Sequence, residues 1–293
     1  MRKILLTFFL FQTLNSFAAR ATKYDDVVNQ MEQLAKDHAD QIQIFTLANN
    51  DQGLPIKGLK IGHGAVQSLV VATHHGNEYG STEVGMGFAR YLAKAPIKDQ
   101  TVWVIPVLNI SGYNKNLREE NNNKTSIDAN RDYPGPCVNT KSFQLRSTTA
   151  LAQFIEDKNI VISATLHTYS AMVVYPWGIS THDLSTPYDE DYKKLVSAAT
   201  VESGYQTGNN TELLYPADGT FEDYAYWKHG IWSLLFELGF SHNPDPQEVL
   251  NMVNSNSPGL KRFLQTAPRS RVSQHDFKGK CEVFRSRQRI FLE

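Results

Sequence analysis

The sequence predicts a single α/β domain on a mixed, mostly parallel twisted sheet with helices on both faces. Three observations carry that prediction. Short apolar runs alternate with longer segments of helical periodicity along the chain. Such alternation implies parallel strands joined by crossover helices, which cover a sheet on both sides. The 293 residues are long enough to bury a full-size core, and 41% are hydrophobic against 20% charged.

The elements follow in order. Val27, Val28, Met31, Leu34 and Ala35 repeat at helical spacing within 24–39. Residues 42–47 and 56–61 are short β-like runs around Asn49-Asn50-Asp51-Gln52-Gly53, a hairpin signal. Leu69 to Ala72 reads as a buried strand, and 81–95 as a helix capped by Ser81. A strand is expected over 102–108, a helix over 143–158 and a strand over 160–166. A helix over 188–203, a strand over 231–238 and a helix over 246–264 complete the pattern. The Asn-rich stretch 114–133 reads as a long functional loop, too polar for the core.

The ends read differently. Arg2 and Lys3 precede an apolar run from Ile4 to Phe11, and Ser16-Phe17-Ala18 has the small residues of a cleavage site. Residues 1–18 are therefore expected to be a secretory signal peptide, too short for a stable span. The mature protein would be exported, periplasmic or secreted, with no membrane insertion and no preceding pro-domain. Residues 19–268 would form the catalytic domain and 269–293 a basic tail, with its arginines on a solvated surface. An oxidising compartment would pair the only two cysteines, Cys137 and Cys281, and tie that tail down; two free thiols are the alternative.

Composition excludes whole classes. Lys and Arg number 29 against 30 Asp and Glu, so the basic excess of a nucleic-acid binder is missing. With two cysteines, a metal would have to rest on His and carboxylates.

Ligands in parallel α/β sheets sit at the carboxyl ends of the strands. Three predicted strand ends deliver His75 with Glu78, His167, and Glu237. Two His and one carboxylate make a catalytic zinc set, with one further carboxylate free to act as base. His74 competes with His75 as a ligand. Glu237 ends an apolar strand, where a carboxylate needs a partner or a function.

These residues resemble the zinc metallocarboxypeptidase family that includes the pancreatic carboxypeptidases A and B, over about 24–266. His75-Gly76-Asn77-Glu78 resembles the family's H-x-x-E motif, and His167-Thr168-Tyr169-Ser170 its third-ligand segment. Asn109-Ile110-Ser111-Gly112-Tyr113 resembles its N-P-D-G-Y/F turn, with Ser111 in place of Asp. Asp128-Ala129-Asn130-Arg131 resembles its D-x-N-R clamp for a terminal carboxylate. The resemblance implies one Zn2+ per chain on His75, Glu78 and His167, with Glu237 as general base and acid. It implies Arg118, or equally Asn121, at the scissile carbonyl and Tyr215 closing over the substrate.

Glu222, seven residues after Tyr215, falls where the family sets the terminal-residue preference. It implies a basic or diaminopimelate-type residue, unless Glu222 faces solvent or pairs with Lys228. Arg131 has its own alternative, an ion pair with Asp128 or Asp132. The implied protein is a monomeric exported carboxypeptidase acting on peptides or muropeptides. A peptidoglycan stem-peptide carboxypeptidase or γ-D-glutamyl-diaminopimelate amidase is the alternative. Two further readings are a small-molecule amidohydrolase and a non-catalytic peptide-binding module.

Overall fold

The computed structural model describes residues 23–137, 141–179, 185–279 and 281. The predicted signal peptide and most of the basic tail lie outside the described residues.

Helix α1 (Lys23–Asp37) leads into the antiparallel hairpin β1 (Ile42–Asn49) and β2 (Pro55–Ile61). Strand β3 (Val66–Ala72), helix α2 (Tyr79–Lys94) and strand β4 (Gln100–Ile105) follow. The chain then forms α3 (Ile110–Lys115) and a small ladder of β5 (Glu120–Asn121) and β6 (Ser126–Ile127). Helix α4 (Arg146–Asp157) precedes β7 (Ile162–His167) and β8 (Met172–Tyr175). The rest comprises α5 (Asp189–Ala199), β9 (Gln206–Asn209), α6 (Asn210–Leu213), α7 (Phe221–His229), β10 (Trp232–Glu237) and α8 (Pro246–Thr266).

The main sheet runs β1-β2-β4-β3-β7-β10-β8-β9. The pairs β4–β3, β3–β7, β7–β10 and β8–β9 are parallel, and the other three are antiparallel. The sheet is thus mixed, with a parallel centre whose strands are buried on both faces. Side chains alternate across each strand, which fixes the layers. Leu166 faces α2, where it approaches Gly85. Its neighbour Thr165 faces α7, where it donates to Glu222. Trp103 packs on Phe154 of α4 and shares the α7 face through the register Trp103–Leu69–Ser163. His167 and Glu237, paired across β7 and β10, lie on that same face.

Several local expectations change. Helix α2 begins at Tyr79 with Glu78 at its N-cap position; Ser81 sits inside, its hydroxyl donating to the Glu78 carbonyl at 2.7 Å. The 114–133 stretch is not all surface: Glu120, Asn130, Asp132 and Tyr133 are buried, each with an internal hydrogen bond. The tail arginines are not uniformly solvated either. Arg271 donates to the carbonyls of Ile160 (2.8 Å) and Ile155 (2.9 Å), closing the end of α4. Cys137 and Cys281 are joined in a disulfide. Among the described residues, no helix is long and apolar enough to cross a membrane.

Candidate metal centre and substrate cleft

The centre grows from the loop after β3. Asn109, at the start of α3, binds that loop with one side chain. Its Oδ1 accepts from Gly112 N at 2.7 Å, while Nδ2 donates to the carbonyls of His74 (3.2 Å) and Arg118 (3.0 Å). Gly76 lets the loop touch α3: a Cβ there would stand 2.1 Å from the Gly112 backbone. Ser111, where the family pattern has Asp, accepts from Asn121 N at 3.0 Å. The Asn121 side chain meanwhile accepts from Asn123 N, so it serves its own turn rather than the cleft.

His75, Glu78 and His167 converge. His75 Nδ1 lies 2.7 Å from Glu78 Oε1, and His167 Nδ1 lies 3.0 Å from Glu78 Oε2. The two Nδ1 atoms are 3.2 Å apart, and all three residues are buried. One donor atom from each residue fits within 4.8 Å of the others. Burial would raise Glu78, but the two imidazoles hold its carboxyl well below the usual range. Burial opposes charge on His75, yet Glu78 and Asp128 outweigh it and push the ring up to about 9. Two imidazoles and a carboxylate turned on one point fit a divalent cation of the zinc type.

A second layer supports them. Asp128 Oδ1 lies 3.1 Å from His75 Nε2, and Oδ2 accepts from Arg118 Nε (3.0 Å) and Nη2 (2.8 Å). A carboxylate on the outer nitrogen of a ligating histidine fixes the ring's tautomer and orientation. Arg118 Nη1 reaches 3.2 Å from His75 Nδ1 and 3.8 Å from Glu78 Oε1, so the guanidinium borders the donor set. The Thr168 N–H donates to Glu78 Oε2 at 3.1 Å. His74 points away from this point: it stacks on His167 at 5.6 Å and meets Tyr133 OH through Nε2 at 3.1 Å. Burial, then the neighbouring imidazoles, keep it neutral.

A small cavity opens beside the centre. His75, His167, Glu237, Asn130, Arg131 and Tyr215 are among its walls. Burial pushes the Glu237 carboxyl up to about 7, against the pull of His167. Arg131 pairs with neither Asp128 nor Asp132. Its Nη1 donates to the Asn130 carbonyl (2.6 Å) and its Nη2 to Tyr215 OH (3.2 Å). Asp128 is taken by His75 and Arg118, and Asp132 by Gln144 N, Leu145 N and the Thr148 hydroxyl. Asn130 Oδ1 accepts from Phe221 N at 2.9 Å, anchoring the start of α7.

Glu222 is buried and does not face solvent, and the partners of its carboxylate are Thr165 and Asn130 rather than Lys228. Its carboxylate accepts from Thr165 and, at 3.5 Å, from Asn130 Nδ2, behind the residues that form the cavity walls. Two wall or support residues escaped the sequence reading. Asp128 sits within the D-x-N-R motif, but its contact with His75 spans 53 residues. Asn210 follows an edge strand too short to show periodicity.

The mixed sheet with its parallel centre, the face carrying these residues and the His-Glu-His convergence define a zinc-peptidase class, and the chain belongs to it. Residues 27–258 match the zinc carboxypeptidase family, Peptidase_M14. Carboxypeptidase SOL1 of Arabidopsis thaliana is 22% identical over 87% of this chain and 58% of its own length. Human carboxypeptidase B is 25% identical over 74% of this chain and 62% of its own length. The chain thus spans less than two thirds of these relatives. Bovine thrombin-activatable fibrinolysis inhibitor shares the fold, with a TM-score of 0.75 and 17% identity over 82% of this chain and 95% of that one. The murein-tripeptide amidase of Escherichia coli O157 superposes with a TM-score of 0.53 and 16% identity, over 75% and 91% of the two chains.

Proposed function

We infer that this protein is an exported zinc-dependent carboxypeptidase that releases the terminal residue of a peptide, with preference for a basic or diaminopimelate-type residue. The observation that carries the reading is one cavity bordered by the buried His-Glu-His set, by Glu237 and by Arg131, whose guanidinium makes no carboxylate pair among the described residues.

His75, Glu78 and His167 would hold the zinc, which supplies Lewis-acid activation of water and of the scissile carbonyl. Arg131 offers a planar fork to the substrate's free carboxylate, and Asn130 adds an amide beside it. Tyr215, half exposed and bonded to Arg131, covers that carboxylate once it binds. Glu237 takes a proton from the attacking water at its carboxylate and returns it to the leaving nitrogen. Arg118 meets the negative charge that develops on the carbonyl oxygen. Asp128 holds Arg118 and His75 in place for this. Glu222 contributes negative charge behind the cavity, which supports a cationic terminal side chain.

A digest read by mass spectrometry tests this. Peptides ending in Lys, Arg, Phe, Glu and diaminopimelate, with muropeptide tripeptides among them, are offered to the mature protein. Loss of one terminal residue, stopped by a chelator and restored by zinc, is expected. Glu237→Gln should keep zinc and lose about a hundredfold or more of the turnover. Full turnover in that variant would remove Glu237 from the mechanism. Action on muropeptides alone would move the function to peptidoglycan, the second reading, which the likeness to a murein-tripeptide amidase favours.

A further inference from the structure

Two residues of the cavity wall carry a buried polar atom without a partner among the described residues: His167, through Nε2, belongs to the donor set, and Asn210 lies outside it. Asn210, the first residue of α6, is only 5% exposed. Its Oδ1 has no hydrogen-bond partner among the described residues, although the residue forms part of the cavity wall. A buried amide oxygen left unpaired is unfavourable, and most such groups in folded proteins find a donor. The amide's orientation is set by its surroundings. Gly178 leaves room for the nitrogen: a Cβ there would stand 2.2 Å from Asn210 Nδ2 and 3.4 Å from an Asp223 carboxyl oxygen. The amide nitrogen and an Asp223 carboxyl oxygen thus both border Gly178, while the amide oxygen is the end without a partner among the described residues. Leu214, Ala217 and Leu235 supply the apolar part of the wall, with Thr220 beside them.

We propose that Asn210 is a specificity-determining residue whose Oδ1 accepts a hydrogen bond from a nitrogen donor on the substrate's terminal side chain. The apolar part of the wall suits an aliphatic stem, and the amide oxygen suits an ammonium or guanidinium at its end. Glu222 lies behind Asn130 with both oxygens engaged. Its charge acts at a distance, while Asn210 makes the direct contact. The proposal rests on the carboxypeptidase reading and assigns the chemistry of its terminal-residue site.

The test uses two peptides that differ only at the end, one terminating in lysine and one in norleucine, which has the stem without the nitrogen. Zinc-loaded wild type, Asn210→Leu and Asn210→Asp are compared, with zinc content and thermal melts recorded for each. In wild type kcat/KM should favour lysine. Asn210→Leu should lower the lysine-to-norleucine ratio by about tenfold, carried mainly by KM, because one hydrogen bond to a charged donor is lost. Asn210→Asp should keep or raise the ratio. An unchanged ratio in folded, zinc-loaded Asn210→Leu, or an equal loss for both peptides, would overturn the proposal and leave the carboxypeptidase reading standing. Failure of the wild type to cleave either peptide with zinc bound would overturn both.

Discussion

Two clusters of buried carboxylates share one face of this sheet and differ in what completes them. At the first turn of α4, Asp132 accepts from the backbone N–H groups of Gln144 (2.9 Å) and Leu145 (3.0 Å) and from the Thr148 hydroxyl (2.6 Å). Glu120 beside it accepts from Ser147, and burial pushes its carboxyl up to about 8. Asp132 is closed by these local donors, whereas Glu120 keeps Oε1 without a partner among the described residues and holds a proton. At the ends of β3 and β7, Glu78 meets two imidazoles, and the imidazoles turn nitrogens toward each other at 3.2 Å. One ligand-type atom from each of these three residues lies within 4.8 Å of the others, an arrangement suited to a divalent cation. A buried carboxylate therefore points to a metal only where further ligand-type side chains converge on it.

Removing a donor from the open cluster should have the largest effect. Glu78→Ala should reduce zinc from one ion per chain to almost none after dialysis, by metal analysis. A variant that kept its zinc would show that the ion rests elsewhere. Removing support should cost less. Asp128→Asn keeps the shape but weakens the hold on His75 and Arg118, so zinc affinity should fall about 10- to 100-fold in chelator competition. An affinity within about twofold of wild type would make Asp128 a partner of Arg118 alone.

The legible parts of the molecule were those with long periods or strand-end chemistry. The helices over 23–37, 79–94 and 246–266 bury enough periodic apolar residues to be read directly. His75, His167 and Glu237 stood out because each polar residue ends an apolar run. Helix α7 escaped because it is apolar around much of its circumference, with Phe221, Tyr224, Ala225 and Tyr226 all buried, so no single face is marked. Strands β8 and β9 have four residues each, too few to establish alternation. The sequence placed Glu222 at the base of a pocket, but only the fold shows it engaged with Thr165 and Asn130 behind the wall. Asn210 gave no signal at all, since an unpaired oxygen exists only once its surroundings are known.

The closed cluster makes its own, smaller prediction. Glu120 titrates near its ordinary value of 4.5 in the unfolded chain and at about 8 when folded. Between those pH values the folded state holds the extra proton, so stability falls as pH rises across the window. It is fully present below about pH 4.5 and lost progressively toward about pH 8. Asp223, also raised to about 8 by burial, acts in the same direction. Glu120→Gln removes the Glu120 share and keeps an acceptor for Ser147. In urea melts between about pH 5 and 8.5, the variant should lose stability less steeply than wild type, by up to about 1.4 kcal/mol per pH unit. The two curves should approach or cross at the alkaline end. Zinc content and peptide cleavage should stay at wild-type levels, because Glu120 touches neither the donor set nor the cavity. Parallel curves would mean that Glu120 is ionised in the fold, and the contrast between a cluster closed by a proton and one left open for a cation would lose its first half.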